Sequence, residues 1–163
     1  MKNIILIGMP GAGKSTMGVI LAKTLGMKFI DTDIAIQERT GRLLQEIIDT
    51  GGPEGFKTIE ETTILSLRGH NTVIATGGSV VFSRRAMDHL KSEGIALYMK
   101  ISFEEMEKRL SNITTRGIVL VAGQDLRDMY NQRISLYEKY ADITIDCSDE
   151  KFETCVERVM DVL

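Results

Sequence analysis

The sequence predicts an α/β fold in three layers, a five-stranded parallel sheet covered on both faces by helices. Three observations predict it. Five short apolar runs recur along the 163 residues, and they lack the strict alternation of a half-exposed strand. Longer segments with apolar residues at helical spacing separate those runs. The first run passes through a glycine-rich loop straight into the first helical segment, "NIILIGMPGAGKST". Such alternation implies right-handed crossovers and a parallel sheet. Ligands of these sheets bind beyond the carboxyl ends of the strands, so the residues just after each strand matter most.

The elements follow in order. "NIILIG" (3–8) is the first strand, and the helix after it covers about 14–25. "KFID" (28–31) is the second, followed by helical pattern over about 34–67 in two or three pieces. "TVIAT" (72–76) precedes a helix at 83–92, and "IALYMKI" (95–101) precedes helices at 103–110 and 124–141. "ITID" (143–146) is the fifth strand. The last helix, 151–163, carries Phe152, Cys155, Val156, Val159, Met160 and Leu163 on one apolar stripe. No linker, repeat or low-complexity tract interrupts the pattern, so a single domain over 1–163 is expected.

Composition narrows the partners. A net charge of −3 gives no electrostatic reason for nucleic acid or an anionic membrane surface. No apolar run has the ~18 residues of a membrane span, and the N-terminal run ends in glycines rather than a cleavage site. Cys147 and Cys155 are too few for a disulfide framework or a metal site, which points to a reduced, cytoplasmic protein. His70 and His89 have no ligand pattern around them and read as surface residues near turns. Nine methionines with no tryptophan suggest an adaptable core. Tyr130, Tyr137 and Tyr140 read as packing on the sheet, with Tyr137 a buttress for Arg133.

"GMPGAGKS", Gly8 to Ser15, fits G-x-x-x-x-G-K-[ST] between a strand and a helix, which is the context the motif requires. Gly11, Ala12, Gly13, Lys14, Ser15 and Thr16 are then the nucleotide-binding residues. Backbone N–H groups at a helix N-terminus cradle phosphate, Lys14 reaches the β- and γ-phosphates, and Ser15 ligates Mg²⁺. The ligand is a nucleoside triphosphate, and the fold is of the P-loop, nucleoside-monophosphate-kinase-like type. A switch GTPase would carry N-K-x-D, and a motor would carry an acidic strand with a catalytic glutamate. Neither is present. Instead "DTD", Asp31-Thr32-Asp33, follows the second strand, with two carboxylates on one side of extended chain. One would help hold Mg²⁺ and the other would accept the proton of a substrate hydroxyl, as phosphoryl transfer requires. The same pair could also cap the next helix.

The P-loop, "DTD", "EGFKTIEE", "ATGGSVV", "RLSNITTRG" and "NQRISLYEKYADITI" stand in the order seen in shikimate kinases, and the resemblance spans nearly the whole chain. It implies an ATP- and Mg²⁺-dependent kinase that phosphorylates a hydroxyl of shikimate, working as a monomer on this small-molecule substrate. Asp33 would be the base and Asp31 would organise Mg²⁺ with Ser15. Gly77 and Gly78 would let the backbone approach the substrate, and Arg133 would fork onto its carboxylate. Arg109 would stack on adenine. Arg116 would reach the transferring phosphoryl group from a mobile lid at about 111–124, and the substrate-side helices at about 34–60 would move with it.

Three positions depart from the family pattern. Lys57 replaces an arginine, losing the guanidinium fork, and Glu60 one turn on could brace it. Ser79 replaces a third glycine and adds a hydroxyl to the substrate side. Gly117-Ile118 replaces proline-leucine in the lid and removes a fixed φ. Lys57 and Ser79 both belong to the acceptor side, so a kinase for a different small hydroxylated carboxylate stays as the alternative. A catalytically silent nucleotide-binding module would not need both aspartates and Arg116. A nucleoside monophosphate kinase would need a second base pocket.

Overall fold

The computed structural model describes residues 2–111, 118–120, 123–148 and 151–163. Five strands form one sheet, β1 (Asn3–Ile7), β2 (Lys28–Asp31), β3 (Thr72–Ala75), β4 (Gly94–Lys100) and β5 (Ile143–Asp146). Their order is β2-β3-β1-β4-β5, and every pairing is parallel. β1 is buried along its whole length because it is central and covered on both faces, which is why it reads as an unbroken apolar run. The register decides where the site forms. Ala75 of β3 pairs with both Leu6 of β1 and Asp31 of β2, so the segments leaving these three strands emerge side by side.

Helices α1 (Lys14–Leu25), α2 (Thr32–Thr40), α3 (Leu44–Ser66), α4 (Arg84–Lys91), α5 (Phe103–Ser111), α6 (Leu126–Tyr140) and α7 (Phe152–Val162) supply the outer layers. α2 begins two residues before the sequence expectation because Asp31 caps it, accepting from Asp33 N at 2.9 Å and Ile34 N at 3.3 Å. Asp33 therefore sits in a first helical turn rather than on extended chain. α3 is two helical legs joined at Gly52, whose φ of 67° and ψ of −179° suit glycine alone. Pro53 then opens the second leg, where its missing N–H costs nothing. A short 3-10 turn, Val80–Phe82, follows β3 and has no periodic signature in the sequence.

Met9, Met17, Met87, Met99, Met106 and Met129 are fully buried in the main core, as their adaptable shape allows. A second, smaller apolar cluster gathers Ile36, Ile47, Phe56 and Val119, away from the sheet. His70 is exposed and pairs with Glu93, whereas His89 is half-buried and its Nε2 lies 3.1 Å from Leu67 O. Among the described residues no helix is long and apolar enough to cross a membrane. One expectation is corrected. Cys147, just past β5, and Cys155, in the first turns of α7, form a disulfide, with Cα atoms 5.6 Å apart.

Candidate active site

The loop between β1 and α1 enters the helix through Gly13, whose φ is 91°. The Lys14 ammonium is buried and donates to Gly8 O at 2.8 Å and Met9 O at 2.9 Å. Ser15 Oγ donates to Asp31 Oδ2 at 2.5 Å. Asp31 thus caps α2 with one oxygen and meets the P-loop serine with the other. Two hard oxygen donors at a P-loop suit Mg²⁺, which takes few protein ligands and fills its octahedron with water and phosphate oxygens. Among the described residues no group of three or more His, Cys, Asp and Glu side chains gathers as a metal site.

A cavity of about 650 Å³ opens here. Gly13, Lys14, Ser15, Thr16 and Asp31 line it, and so do Asp33, Glu60, Gly77, Gly78, Ser79 and Arg133. Ile118 and Val119 lie along it as well. Gly77 is part of its lining, and its N–H donates to Thr32 Oγ1 at 3.1 Å. A Cβ on Gly77 would fall 2.8 Å from Glu60 Oε2 and 2.9 Å from Asp33 Oδ1, so glycine is required for both carboxylates to border that point. Tyr137 donates to Gly78 O at 2.6 Å and stacks on Tyr98, with 5.1 Å between ring centroids. It therefore holds the glycine turn from beneath. Burial pushes its phenol up to about 12, so it stays a donor at neutral pH.

Arg133 is 2% exposed, and its Nη2 donates to Val119 O at 2.6 Å. Its Nε has no partner among the described residues. Glu60, 3% exposed, accepts from Ser79 Oγ at 2.8 Å through Oε1, and its Oε2 has no hydrogen-bond partner among them. Burial is the main reason that the Glu60 carboxyl rises from its ordinary 4.5 to about 7. The nearby Asp33 charge adds to the rise, while Ser79, Arg133 and Lys57 oppose it.

Gly11, Ala12, Lys57 and Arg109, all expected at the site, do not line this cavity. Lys57 is not paired with Glu60. Its Nζ lies 3.4 Å from Glu54 Oε1 and 4.5 Å from the centre of the Phe82 ring, which Arg133 also approaches at 5.4 Å. The i,i+3 pair does not form: the Lys57 ammonium is turned to Glu54 and Phe82, and it reaches Glu60 only as a nearby charge. Arg109 lies on α5, outside the cavity walls, donating to Gly11 O at 3.0 Å and to Glu105 Oε1 at 2.7 Å. Arg116 and most of the expected lid lie outside the described residues. Thr32, Phe82 and Val119 carry contacts at the site that the sequence did not single out; Thr32, enclosed by two acids, was the one with a readable signal.

The raised Glu60 carboxyl has a consequence for stability. Because its folded value exceeds its unfolded one, the folded state holds a proton that the unfolded state releases between pH 4.5 and about 7. Its contribution is full below that window and is lost as pH rises through it, by about 3 kcal/mol in all. Urea unfolding from pH 4.5 to 8 should show this decline in the wild type, and Glu60→Gln should remove it. Parallel curves for the two proteins would contradict the burial of an ionisable Glu60.

A family model described as shikimate kinase matches residues 10–163. Shikimate kinase of Haemophilus influenzae strain PittEE is 36% identical over 166 residues, covering 99% of this chain and 92% of that one. That of Vibrio cholerae (strain O395) is 35% identical over 165 residues, covering 99% and 95%. The solved structure of shikimate kinase from Acinetobacter baumannii in complex with shikimate superposes with a TM-score of 0.88 at 30% identity, covering 99% of this chain and 92% of that one.

Proposed function

The chain belongs to the shikimate kinase family, and from that premise we propose that it transfers the γ-phosphoryl group of ATP to a hydroxyl of shikimate, giving shikimate 3-phosphate and ADP. The observation that carries this reading is that one cavity is lined both by Lys14 and Ser15 of the P-loop and by Asp33 and Arg133. In this reading the phosphate donor meets Lys14 and Ser15 and the carboxylated alcohol meets Asp33 and Arg133.

The P-loop amides from Gly11 to Thr16 hold the phosphates, and Lys14 exchanges its two loop carbonyls for β- and γ-phosphate oxygens. Ser15 and Asp31 would hold Mg²⁺, which supplies charge neutralisation for the phosphate oxygens. Arg133 receives the acceptor carboxylate, and Gly77 and Gly78 let the acceptor ring lie against the backbone. Asp33 accepts the proton of the attacking hydroxyl as the bond to the γ-phosphorus forms and the β–γ bridging bond breaks. Arg109 braces the P-loop from α5 and offers its guanidinium plane to the adenine. Arg116, from the 111–124 segment, completes the cationic surround once that segment and the 34–60 helices close. In this reading a single domain spans 1–163.

A kinase of the same fold for another hydroxylated carboxylate is not favoured, since the relatives described above are shikimate kinases. The enzyme is taken to act as a cytoplasmic monomer on a small molecule, and in a reducing cytoplasm Cys147 and Cys155 would be a dithiol. ADP release coupled to NADH oxidation, with Mg-ATP and with or without millimolar shikimate, tests the assignment. Strong stimulation by shikimate is expected. Bound ATP without stimulation would overturn shikimate as the acceptor and leave the kinase machinery standing.

A further inference from the structure

Ser79 raises a question that its backbone does not answer. Its φ of −90° and ψ of −4° suit any residue, so neither glycine nor serine is dictated by the turn. The side chain is 4% exposed and lines the cavity, and its hydroxyl is engaged by Glu60 Oε1. Glu60 is held by nothing else of comparable directness: Lys57, one turn earlier on α3, is drawn to Glu54 and Phe82. The other carboxylate oxygen, Oε2, is buried without a partner among the described residues and borders the same point over Gly77 as Asp33 Oδ1. A buried acceptor left unpaired is costly, and a ligand hydroxyl lying over Gly77 would satisfy it.

We propose that Ser79 is a positioning residue for acceptor recognition: by donating to Oε1 it fixes the Glu60 carboxylate with Oε2 beside Asp33, as a second acceptor for the substrate's hydroxyls. The proposal rests on reading this cavity as the acceptor site. Ser79 thereby replaces a cationic brace at position 57. Without its hydroxyl, Glu60 is free to rotate and loses the hydrogen bond that most favours its charged form. The charged groups facing Glu60 are Asp33 from α2, Lys57 from its own helix and Arg133 from α6, and the Tyr137 phenol also faces it from α6. None of them is altered by a change at position 79.

The test uses Ser79→Gly, which the turn accommodates, with Ser79→Thr as the variant that keeps a hydroxyl. Initial rates are taken from pH 5.5 to 9 with ATP and shikimate varied separately. The expected result for Ser79→Gly is a rise of about tenfold in KM for shikimate at pH 7, the worth of one hydrogen bond to a charged group. KM for ATP and kcat at saturation stay near wild type, the acid limb of kcat/KM for shikimate moves to higher pH, and Ser79→Thr restores it. A general structural defect would instead depress all parameters without moving the limb. An unchanged KM for shikimate with an unmoved limb overturns the proposal. Carbon-13 NMR titration of the Glu60 carboxyl in the unliganded protein keeps the two readings apart. A wild type that does not use shikimate counts against the proposed function. The Ser79 link then stands if the Glu60 midpoint rises in Ser79→Gly and falls if it does not.

Discussion

Asp33→Asn is expected to lower kcat by ~10²–10⁴-fold, the usual worth of a positioned general base, while the affinity for ATP stays within about twofold. The substitution is close to isosteric and spares the local frame. The Asp33 backbone N–H still donates to Asp31 Oδ1, so the start of α2 keeps its cap. Thr32 still receives the Gly77 N–H, so the floor of the acceptor end keeps its shape. What is removed is the ability to accept a proton at Oδ1, beside Gly77. The nucleotide end is untouched because Ser15 bonds Asp31, not Asp33. Single-turnover transfer measured beside calorimetric titration of ATP separates the two effects. Turnover within tenfold of wild type would take the base role away from Asp33. Weakened ATP binding would mean that Asp33, too, serves the nucleotide.

The fold was legible because its strands are covered on both faces. "NIILI" and "TVIA" are continuous apolar runs, buried throughout, that no exposed element would tolerate. The P-loop was legible because strand, glycines, lysine and helix must occur in one order. Short-range logic failed where a tertiary partner outbid a sequence neighbour. Lys57 and Glu60 are correctly spaced for a helical pair, but Lys57 is drawn to Glu54 and Phe82, and Glu60 bonds Ser79, nineteen residues away. The 3-10 turn at Val80–Phe82 is too short for a period, and it carries Phe82 to the two cations. The place of Cys155 on the α7 stripe gives its burial but not its partner across the β5–α7 turn. Tyr137 lies behind the glycine turn rather than Arg133 alone, its hydroxyl going to Gly78 O. Spacing tells which face a side chain leaves from, and only the packed neighbours tell where it ends.

Arg133→Lys is expected to raise KM for shikimate ~10–100-fold, since one charge-assisted hydrogen bond is worth about 1.5–3 kcal/mol, with a smaller fall in kcat. Lysine keeps the positive charge but not the planar fork. It cannot serve Val119 O and a substrate carboxylate at once with two fixed N–H directions. Arg133→Ala should cost more, by about 2–5 kcal/mol, because it also strips Glu60 of a nearby cation that favours its charged form. Lys57→Ala is the informative contrast. Its ammonium is engaged by Glu54 and Phe82 rather than by the cavity, so KM for shikimate should change by no more than about twofold. If Arg133→Lys is silent and Lys57→Ala is severe, the carboxylate is bound by Lys57 after it leaves Phe82, and the acceptor end is built around the wrong cation. If both are severe, the two cations share the carboxylate across the Phe82 ring. The expected pattern, severe at 133 and mild at 57, means that one buried guanidinium holds the carboxylate.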